Sequence, residues 1–233
     1  MSNTISNEII TIGSDPELAF VTPKGETLNA DDLYSPKKDA QDIDCEFGYD
    51  GHSATGEIRP KPATNPKDAI KAVEKILKDN RKRYPQAYRY NMMATSHRLS
   101  LGGHIHFGHP HLTPQYRFYD ILARRLVLNL DNLLAFPAMY LEDKNDGRWR
   151  RHNNYGKFSD WRPQTWGIEY RTLSSFIASK ELTKYILYTA HAIADATINH
   201  KFKCRPVTTA DGFQYALNEQ ARDLLRPHLI GVF

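Results

Sequence analysis

The chain has 233 residues, of which 40% are hydrophobic and 25% are charged, so its composition is that of a globular protein able to bury a substantial core. No apolar run approaches the roughly 20 residues that cross a bilayer, and the first ten residues lack the basic and apolar regions of a secretory signal, so we expect a cytoplasmic protein with no membrane partner. The formal net charge of +4 is too small to predict nucleic-acid binding, and nucleic acid is not an expected partner.

Short strand-like runs separated by long helical patterns predict an α+β fold with a largely antiparallel sheet and helices packed on it. In chain order, the strand-like runs are 9–12 and 18–21 around a GSDPE turn, 44–49 and 54–59 around a DGH turn, 99–108, and 166–173. Helices are predicted from Pro66 to about residue 80, from Pro114 to a stop at Pro137, over 179–199, and over 213–225. No linker interrupts the chain, so residues 1–233 are expected to form a single domain.

The segment LSLGGHIHFG, residues 99–108, separates into two faces when it is interpreted as a strand. Successive strand side chains point to opposite sides, so Ile105 and Phe107 share an apolar face while His104 and His106 share the other. Glycines beside the two imidazoles leave space in which a ligand or a metal could approach. A solvated polar strand face gives the same pattern, so this segment alone leaves both interpretations open.

Three further pairs of polar residues occur at the same spacing of two. They are Asp15 and Glu17 in GSDPE, Glu57 and Arg59 in GEIRP, and Glu169 and Arg171 in GIEYR. Each pair either faces water independently or converges with the others, because buried carboxylates and guanidiniums need partners. Convergence on one face would create an oxygen-rich site for a divalent cation beside anion-binding guanidiniums, which suits ATP chemistry.

Two segments are basic, KDNRKRYPQAYR over 78–89 and RWRRHNNYGKFSDWR over 148–162. The second basic segment interleaves cations with glycine, asparagine and aromatic residues and is expected to be a loop. Such a segment suits the binding of a polyanionic phosphate, although a solvated loop has the same composition. The candidate phosphate contacts are Arg148, Arg150, Arg151, Lys157 and Arg162.

Taken in order, ITIGSDPELAF, DGHSATGEIRP, LGGHIHFGHPH, RRHNNYGKFSDWRP and GIEYRTLSS resemble the motif series of the phage-type carboxylate-amine ligases, the type 2 amidoligases. This family is related to glutamine synthetase and glutamate-cysteine ligase. The resemblance implies a curved antiparallel half-barrel with helices on its outer face. It also implies that ATP phosphorylates a substrate carboxylate and that an amine then attacks the acyl phosphate to form an amide.

The resemblance also implies roles for individual residues. Those implied to bind the metal, Mg²⁺ or Mn²⁺, are Glu17, Glu57, His106 and Glu169. Arg171 would contact the transferring phosphate, and Arg59 would bind a substrate carboxylate or brace Glu57. The second basic segment would supply further phosphate contacts.

Three further assignments stay open at the level of sequence. Asp50 and Asp15 are candidates for second-layer or amine-activating groups, because an ammonium must lose a proton before or during attack. His104 is assigned to substrate or phosphate, and its role and that of His106 could be reversed. The carboxylate and amine substrates, whether amino acid, peptide or protein, are not specified.

Two alternative functions remain. A metal-dependent hydrolase could use His104 and His106 as a ligand pair, although the next glutamate after them is the distant Glu142. A non-catalytic binding protein could retain a degenerate ligase fold, although all the expected site residues are present.

Overall fold

A computed structural model describes residues 8–33, 46–49, 54–83, 90–95 and 99–204, excluding the side chains of Arg81 and Arg83. The whole DGH turn, including Asp50, and the predicted helix over 213–225 lie outside the described residues. Within these ranges, no helix combines the length and the apolar character that a membrane span requires.

The described residues form strands and helices that alternate irregularly along the chain. The strands are β1 (Thr11–Val21), β2 (Thr27–Leu28), β3 (Phe47–Tyr49), β4 (Gly56–Ile58), β5 (Asn91–Met93), β6 (Gly103–Gly108), β7 (Trp161–Gln164) and β8 (Gly167–Tyr170). The α-helices are α1 (Ala30–Leu33), α2 (Pro66–Arg83), α3 (Tyr119–Leu130), α4 (Phe136–Ala138), α5 (Lys144–His152) and α6 (Lys180–Asn199). A 3-10 turn at Pro110–Leu112 precedes α3, and a π-helical segment at Asp131–Ala135 joins α3 to α4.

All eight strands belong to one sheet with the order β3-β4-β1-β6-β8-β7, and β2 and β5 pair with the second half of β1. Every strand pair is antiparallel. The predicted α+β class with a mostly antiparallel sheet is confirmed. The long strand β1 is the organising element, because four other strands pair with it.

One face of the sheet is apolar and is covered by helices. Ile12, Phe107 and Ile168 are direct neighbours across three strands and are all fully buried. They join the largest hydrophobic cluster, which includes Leu126 of α3 and Ile193 of α6. Burying a side chain of this size contributes about 1.5–3 kcal/mol relative to leaving it exposed. The helices therefore cover this face and leave the opposite face of the central strands to other groups.

A smaller cluster attaches the β3–β4 hairpin to β1. Phe20 of β1 and Phe47 of β3 pack with their ring centroids 6.4 Å apart, and Ile58 of β4 is fully buried beside them. Ile76 of α2 closes this cluster from the helical side. This packing fixes the position of Glu57, because it lies between Gly56 and Ile58 on the opposite face of β4.

The predicted GSDPE turn is wrong, because the two flanking runs are one continuous strand, β1. Pro16 fits inside β1 because Pro16 is the last residue paired with β6, while pairing with β4 begins only at Glu17. The missing amide of Pro16 therefore falls where pairing with β6 ends on one edge of β1 and pairing with β4 begins on the other edge.

The second predicted helix also differs from the structure. The hydroxyl of Thr113 donates backwards to the carbonyl of Pro110 at 2.8 Å, closing the 3-10 turn instead of capping a helix, and α3 begins only at Tyr119. The predicted stop at Pro137 agrees with the structure to within one residue, because the helical run from α3 through α4 ends at Ala138.

The predicted loop over 148–162 is also wrong in part, since it contains the end of α5 and the start of β7. Asp143 caps α5 by accepting from the amides of Asn145 and Asp146 at 3.0 Å each. Helix α5 has few apolar residues, so its sequence lacks the apolar periodicity that predicts a helix.

Candidate active site

The strand register brings the four polar pairs together on the face opposite the helices. Asp15 lies directly across from His104, and Glu17 lies directly across from Glu57. His106 lies across from Glu169, which in turn lies across from Arg162 of β7. A slip of one residue in any of these pairs would move a whole polar row into the core, so the apolar face on the other side of the sheet specifies the register.

This face forms part of a cavity of about 830 Å³. Its acidic and imidazole groups are Asp15, Glu46, Glu57, His106, His109 and Glu169, and the cations Arg59, Lys61 and Arg162 also line it. The remaining wall includes apolar groups, namely Ile9, Pro60, Pro62, Pro110 and Trp166. The Trp166 ring lies 5.2 Å from the His106 ring. The cavity thus combines a charged side with an apolar wall, as small-molecule sites commonly do.

Asp15 is the junction of the two histidines. Its Oδ1 lies 3.2 Å from Nδ1 of His104, and its Oδ2 lies 3.2 Å from Nε2 of His106. Burial alone would raise the pKa of Asp15, but close contact with His104 and His106 and their positive charge outweigh burial and lower that pKa. Asp15 is therefore held ionised.

His104 lies deeper than His106. Burial alone would lower the pKa of His104, but the contact with Asp15 and the negative charges of Asp15, Glu17 and Glu169 outweigh burial and raise it. Its side chain is 5% exposed, whereas that of His106 is 26% exposed, and His106 lines the cavity. The two histidines therefore occupy different depths, and His106, the histidine implied to bind the metal, is the one that lines the cavity.

Asp15, His106 and Glu169 form a cluster that fits a divalent cation. One ligand atom from each lies within 4.8 Å of the other two. Asp15 Oδ1, His106 Nε2 and Glu169 Oε1 are buried and make no well-formed hydrogen bond among the described residues. Buried polar atoms in this state are rare in proteins, and a shared cation would satisfy all three. Two carboxylates with one imidazole can hold Mg²⁺ or Mn²⁺, and the imidazole favours Mn²⁺.

Three side chains contact the buried carboxylate of Glu169 in addition to His104, whose Nδ1 lies 3.6 Å from Oε1. Nε of Arg162 donates to Oε2, and Nε2 of Gln164 donates to the same oxygen at 2.9 Å. Nε of Arg171 lies 3.6 Å from the other oxygen, Oε1. Burial alone would lower the pKa of Arg171, but the charge of Glu169 outweighs burial and raises it. Arg171 lies beside Glu169 and is absent from the cavity lining, whereas Arg162 is half exposed and lines the cavity.

Arg59 braces Glu57, one of the two roles expected for it. Its Nε donates to Oε2 of Glu57 at 2.6 Å, and its Nη2 donates to the carbonyl of Tyr49 at 2.9 Å. This arrangement fixes the guanidinium at the edge of the cavity, beside β3 and β4.

Glu17 is held from two directions and does not line the cavity. The amide of Gly102 donates to its Oε2 at 2.5 Å, and the hydroxyl of Tyr155 donates to its Oε1 at 2.9 Å. The same hydroxyl lies 2.8 Å from Nε2 of His104. Burial, followed by the charge of Glu17, raises the pKa of Tyr155, which therefore stays protonated and can donate.

The basic segment distributes its cations among different environments. Arg150 is fully buried and donates to the hydroxyl of Ser174 and the carbonyl of Leu173. Arg151 forms a two-pronged ion pair with Glu142 at 2.8 and 3.0 Å. The exposed Arg148 and Lys157 do not line the cavity, so Arg162 is the one cation of the five that does.

Sequence reasoning did not identify Tyr155, Gln164 or Trp166 as site residues. Gln164 shares the face of β7 with Arg162 at spacing two, so the pattern used elsewhere could have found it. Tyr155 lies between Asn154 and Gly156, which both have positive φ angles, 61° and 67°. An asparagine before Tyr155 and a glycine after it are typical of a tight turn, but the neighbouring sequence does not indicate which residues the phenol contacts.

A second cluster, Glu8, His109 and His111, lies near one end of the cavity. Nδ1 of His109 accepts from the amide of His111 at 3.1 Å, which assigns the ring proton of neutral His109 to Nε2, the atom that faces Glu8 at 3.7 Å. Burial, followed by the charge of His111, lowers the pKa of His109. A metal ion at Nε2 would have to displace this proton and disrupt the turn, so no metal is assigned here.

Comparison of the chain with known protein families gives a match to one family model. The model of the family described as phage phiEco32-like COOH.NH2 ligase, type 2, matches residues 12–233, nearly the whole chain. A search of curated proteins gave no match.

Proposed function

The chain belongs to the family of phage phiEco32-like COOH.NH2 ligases of type 2, and from that membership we propose that it is an ATP-dependent carboxylate-amine ligase acting through an acyl phosphate. One observation carries the proposal. Buried carboxylates, two imidazoles and several guanidiniums from five separate strand segments converge on one side of the sheet, beside a cavity of about 830 Å³.

A divalent cation is proposed to bind between Asp15, His106 and Glu169, with Glu57 and Glu17 as the remaining acidic groups of the site. Family resemblance supports Glu17, Glu57, His106 and Glu169, and the ligand atoms of Asp15, His106 and Glu169, which lie within 4.8 Å of one another, support adding Asp15. When bound between these residues, Mg²⁺ or Mn²⁺ would supply positive charge that neutralises the charge developing on the transferring phosphoryl group of ATP.

The guanidiniums are proposed to act at two depths. Arg162, which is half exposed and lines the cavity, would bind a phosphate of ATP, because a charge-assisted contact with an anion is strong in a partly enclosed site. Arg171 would reach the transferring phosphate only by leaving its position beside Glu169. Arg59 would face a substrate carboxylate while bracing Glu57.

The proposed reaction has two displacement steps. A carboxylate oxygen of the first substrate attacks the γ-phosphorus of ATP, and the bond to ADP breaks. The nitrogen of the amine substrate then attacks the acyl carbon, an amide bond forms, and inorganic phosphate leaves with the oxygen that came from the carboxylate. The ammonium form of the second substrate gives up its protons, and Asp50 stays a proposed acceptor outside the described residues.

No enzyme nucleophile is needed in this scheme, so the residues of the site act by binding, orienting and neutralising charge. The proposed catalytic unit is a single domain over residues 1–233, working in the cytoplasm, which would be that of the host cell if a phage encodes the chain. Amino acids, peptides and protein termini are the substrate classes proposed for both partners.

The test is to incubate the protein with ATP and Mg²⁺ or Mn²⁺ together with a panel of amino acids, polyamines and peptides, measuring ADP and product mass. A ligase releases ADP only when a carboxylate and an amine are both present, and one equivalent of amide accompanies each ADP. Cleavage of panel members without ATP would instead indicate a hydrolase built on His104 and His106. Absence of nucleotide binding at millimolar ATP and metal would indicate a non-catalytic protein.

A further inference from the structure

Tyr155 connects a distant segment of the chain to the acidic site. Its hydroxyl donates to Oε1 of Glu17, 138 residues away in sequence, and lies 2.8 Å from Nε2 of His104. The other oxygen of Glu17 accepts from the amide of Gly102. The carboxylate of Glu17 is thus held at both oxygens, which fixes its plane and the direction of its remaining lone pairs.

Steric contacts make this arrangement tight. A Cβ atom on Gly102 would lie 2.5 Å from Nε2 of His104 and 2.7 Å from the hydroxyl of Tyr155. Both values are shorter than real Cβ contacts, so only glycine at position 102 lets the phenol, the imidazole and the backbone amide meet around Glu17.

The segment that carries Tyr155 is itself anchored firmly. The buried guanidinium of Arg150 lies 5.2 Å from the centroid of the Tyr155 ring, and that of Arg171 lies 5.6 Å from it. Gly156, at positive φ, packs directly on Arg150, where a Cβ would approach Nη2 to 2.4 Å. Ser159, also at positive φ, donates to Asp131 at 2.6 Å. Strained backbone persists only where surrounding contacts hold it, and here they hold the phenol in place.

We propose that Tyr155 is a positioning residue that orients Glu17 and His104 behind the metal-binding face. The inference rests on the proposed function, because it takes Glu17 as part of the metal site. Hydrogen bonds to metal ligands commonly change metal affinity by 10–100-fold when they are removed. Loss of the phenol hydroxyl would remove the donor to Oε1 of Glu17 and would leave the buried Nε2 of His104 without its phenol contact.

The test compares Tyr155→Phe with Tyr170→Phe. Tyr170 is a matched control, because its hydroxyl is also buried and also donates to a carboxylate, Asp131 at 2.7 Å, but on the helix-covered face. Mn²⁺ binding is measured by electron paramagnetic resonance with Mn²⁺ as the only added ligand, and thermal unfolding is followed by circular dichroism on the same samples.

The expected result is a roughly tenfold or greater weakening of Mn²⁺ binding in Tyr155→Phe, with Tyr170→Phe within about twofold of the wild type. Gly102→Ala, which pushes the same groups apart, is expected to weaken binding similarly and covers the case in which Tyr155→Phe does not fold. Wild-type affinity in a folded Tyr155→Phe protein, or equal weakening in both tyrosine variants, would overturn the inference. Absence of Mn²⁺ binding in the wild type would instead contradict the proposed function itself.

Discussion

Glu17 on β1 and Glu57 on β4 lie directly opposite each other in an antiparallel strand pair, and both are buried. Like charges in this position repel, and burial strengthens the repulsion. Arg59 offsets part of the charge of Glu57, and Tyr155 and Gly102 donate to Glu17 without adding a positive charge. Arg59 and His104 already supply positive charge beside this pair, and a cation bound nearby would offset the repulsion further.

Addition of a divalent cation is therefore expected to stabilise the fold. At a concentration of Mn²⁺ one hundred times its dissociation constant, stabilisation of about 2.7 kcal/mol is expected for one site. In Glu17→Gln the repulsion with Glu57 is removed, so the unfolding temperature without metal should equal or exceed that of the wild type, while the increase on adding Mn²⁺ should shrink. Differential scanning calorimetry with EDTA and with Mn²⁺ measures both quantities. A large loss of stability in metal-free Glu17→Gln would contradict this account.

Arg162→Ala is expected to weaken ATP binding, because Arg162 is the cation of the basic segment that lines the cavity. A lost charge-assisted contact with phosphate costs about 1.5–3 kcal/mol, which corresponds to roughly 10–150-fold in affinity. Arg148→Ala is the matched control, since Arg148 is an exposed arginine on α5 away from the cavity lining. Isothermal titration calorimetry with ATP gives both values. Equal effects of the two substitutions would show that general surface charge, and not this site, attracts the nucleotide.

Arg150→Lys is expected to destabilise the protein by about 2–4 kcal/mol. A lysine cannot donate to Ser174 and Leu173 in the geometry of the guanidinium fork, and its buried charge would lack those partners. Arg148→Lys should stay within about 0.5 kcal/mol of the wild type, as exposed substitutions usually do. Urea denaturation monitored by tryptophan fluorescence measures the difference. A small effect at position 150 would mean that this segment does not depend on the buried cation.

Asp131 is expected to make the stability of the fold depend on pH. Burial raises the pKa of Asp131, and hydrogen bonds from Ser159 and Tyr170 only partly offset the rise. A carboxyl whose pKa is higher in the folded state binds more protons when folded, so its contribution to stability falls as pH rises through the range between its unfolded and folded pKa values. The stability of the wild type relative to Asp131→Asn should therefore decrease as the pH rises above about 4. Urea denaturation at several pH values tests the direction, and an increase over this range would contradict it.

The faces of the strands could be predicted from sequence because alternation is a local property. His104 and His106 had to share a side of β6, and so did Glu57 and Arg59 along β4. Which strands become neighbours depends on packing of the whole chain, so the pairings of Asp15 with His104 and of His106 with Glu169 were hypotheses until the register was known.

The basic segment could not be interpreted correctly from sequence for a physical reason. Arg150 and Arg151 are adjacent and chemically identical, yet one is fully buried under Tyr155 and the other pairs with Glu142 near the surface. Their environments follow from the helical rotation of α5, which composition does not reveal. The role of Tyr155 could not be predicted from sequence either, because the groups that it contacts are distant in sequence and lie on β1 and β6.

The central claim is that this face of the sheet is a metal and nucleotide site. The most direct test measures the affinity for Mn²⁺ in the presence of ATP by electron paramagnetic resonance. The affinity of the wild type is compared with those of Glu169→Gln and Glu142→Gln. Both glutamates pair with an arginine, but only Glu169 lies at the cavity. We predict saturable binding in the wild type, unchanged binding in Glu142→Gln, and at least tenfold weaker binding in Glu169→Gln. Equal affinities in all three proteins, or no binding by the wild type at millimolar Mn²⁺ and ATP, would contradict the account.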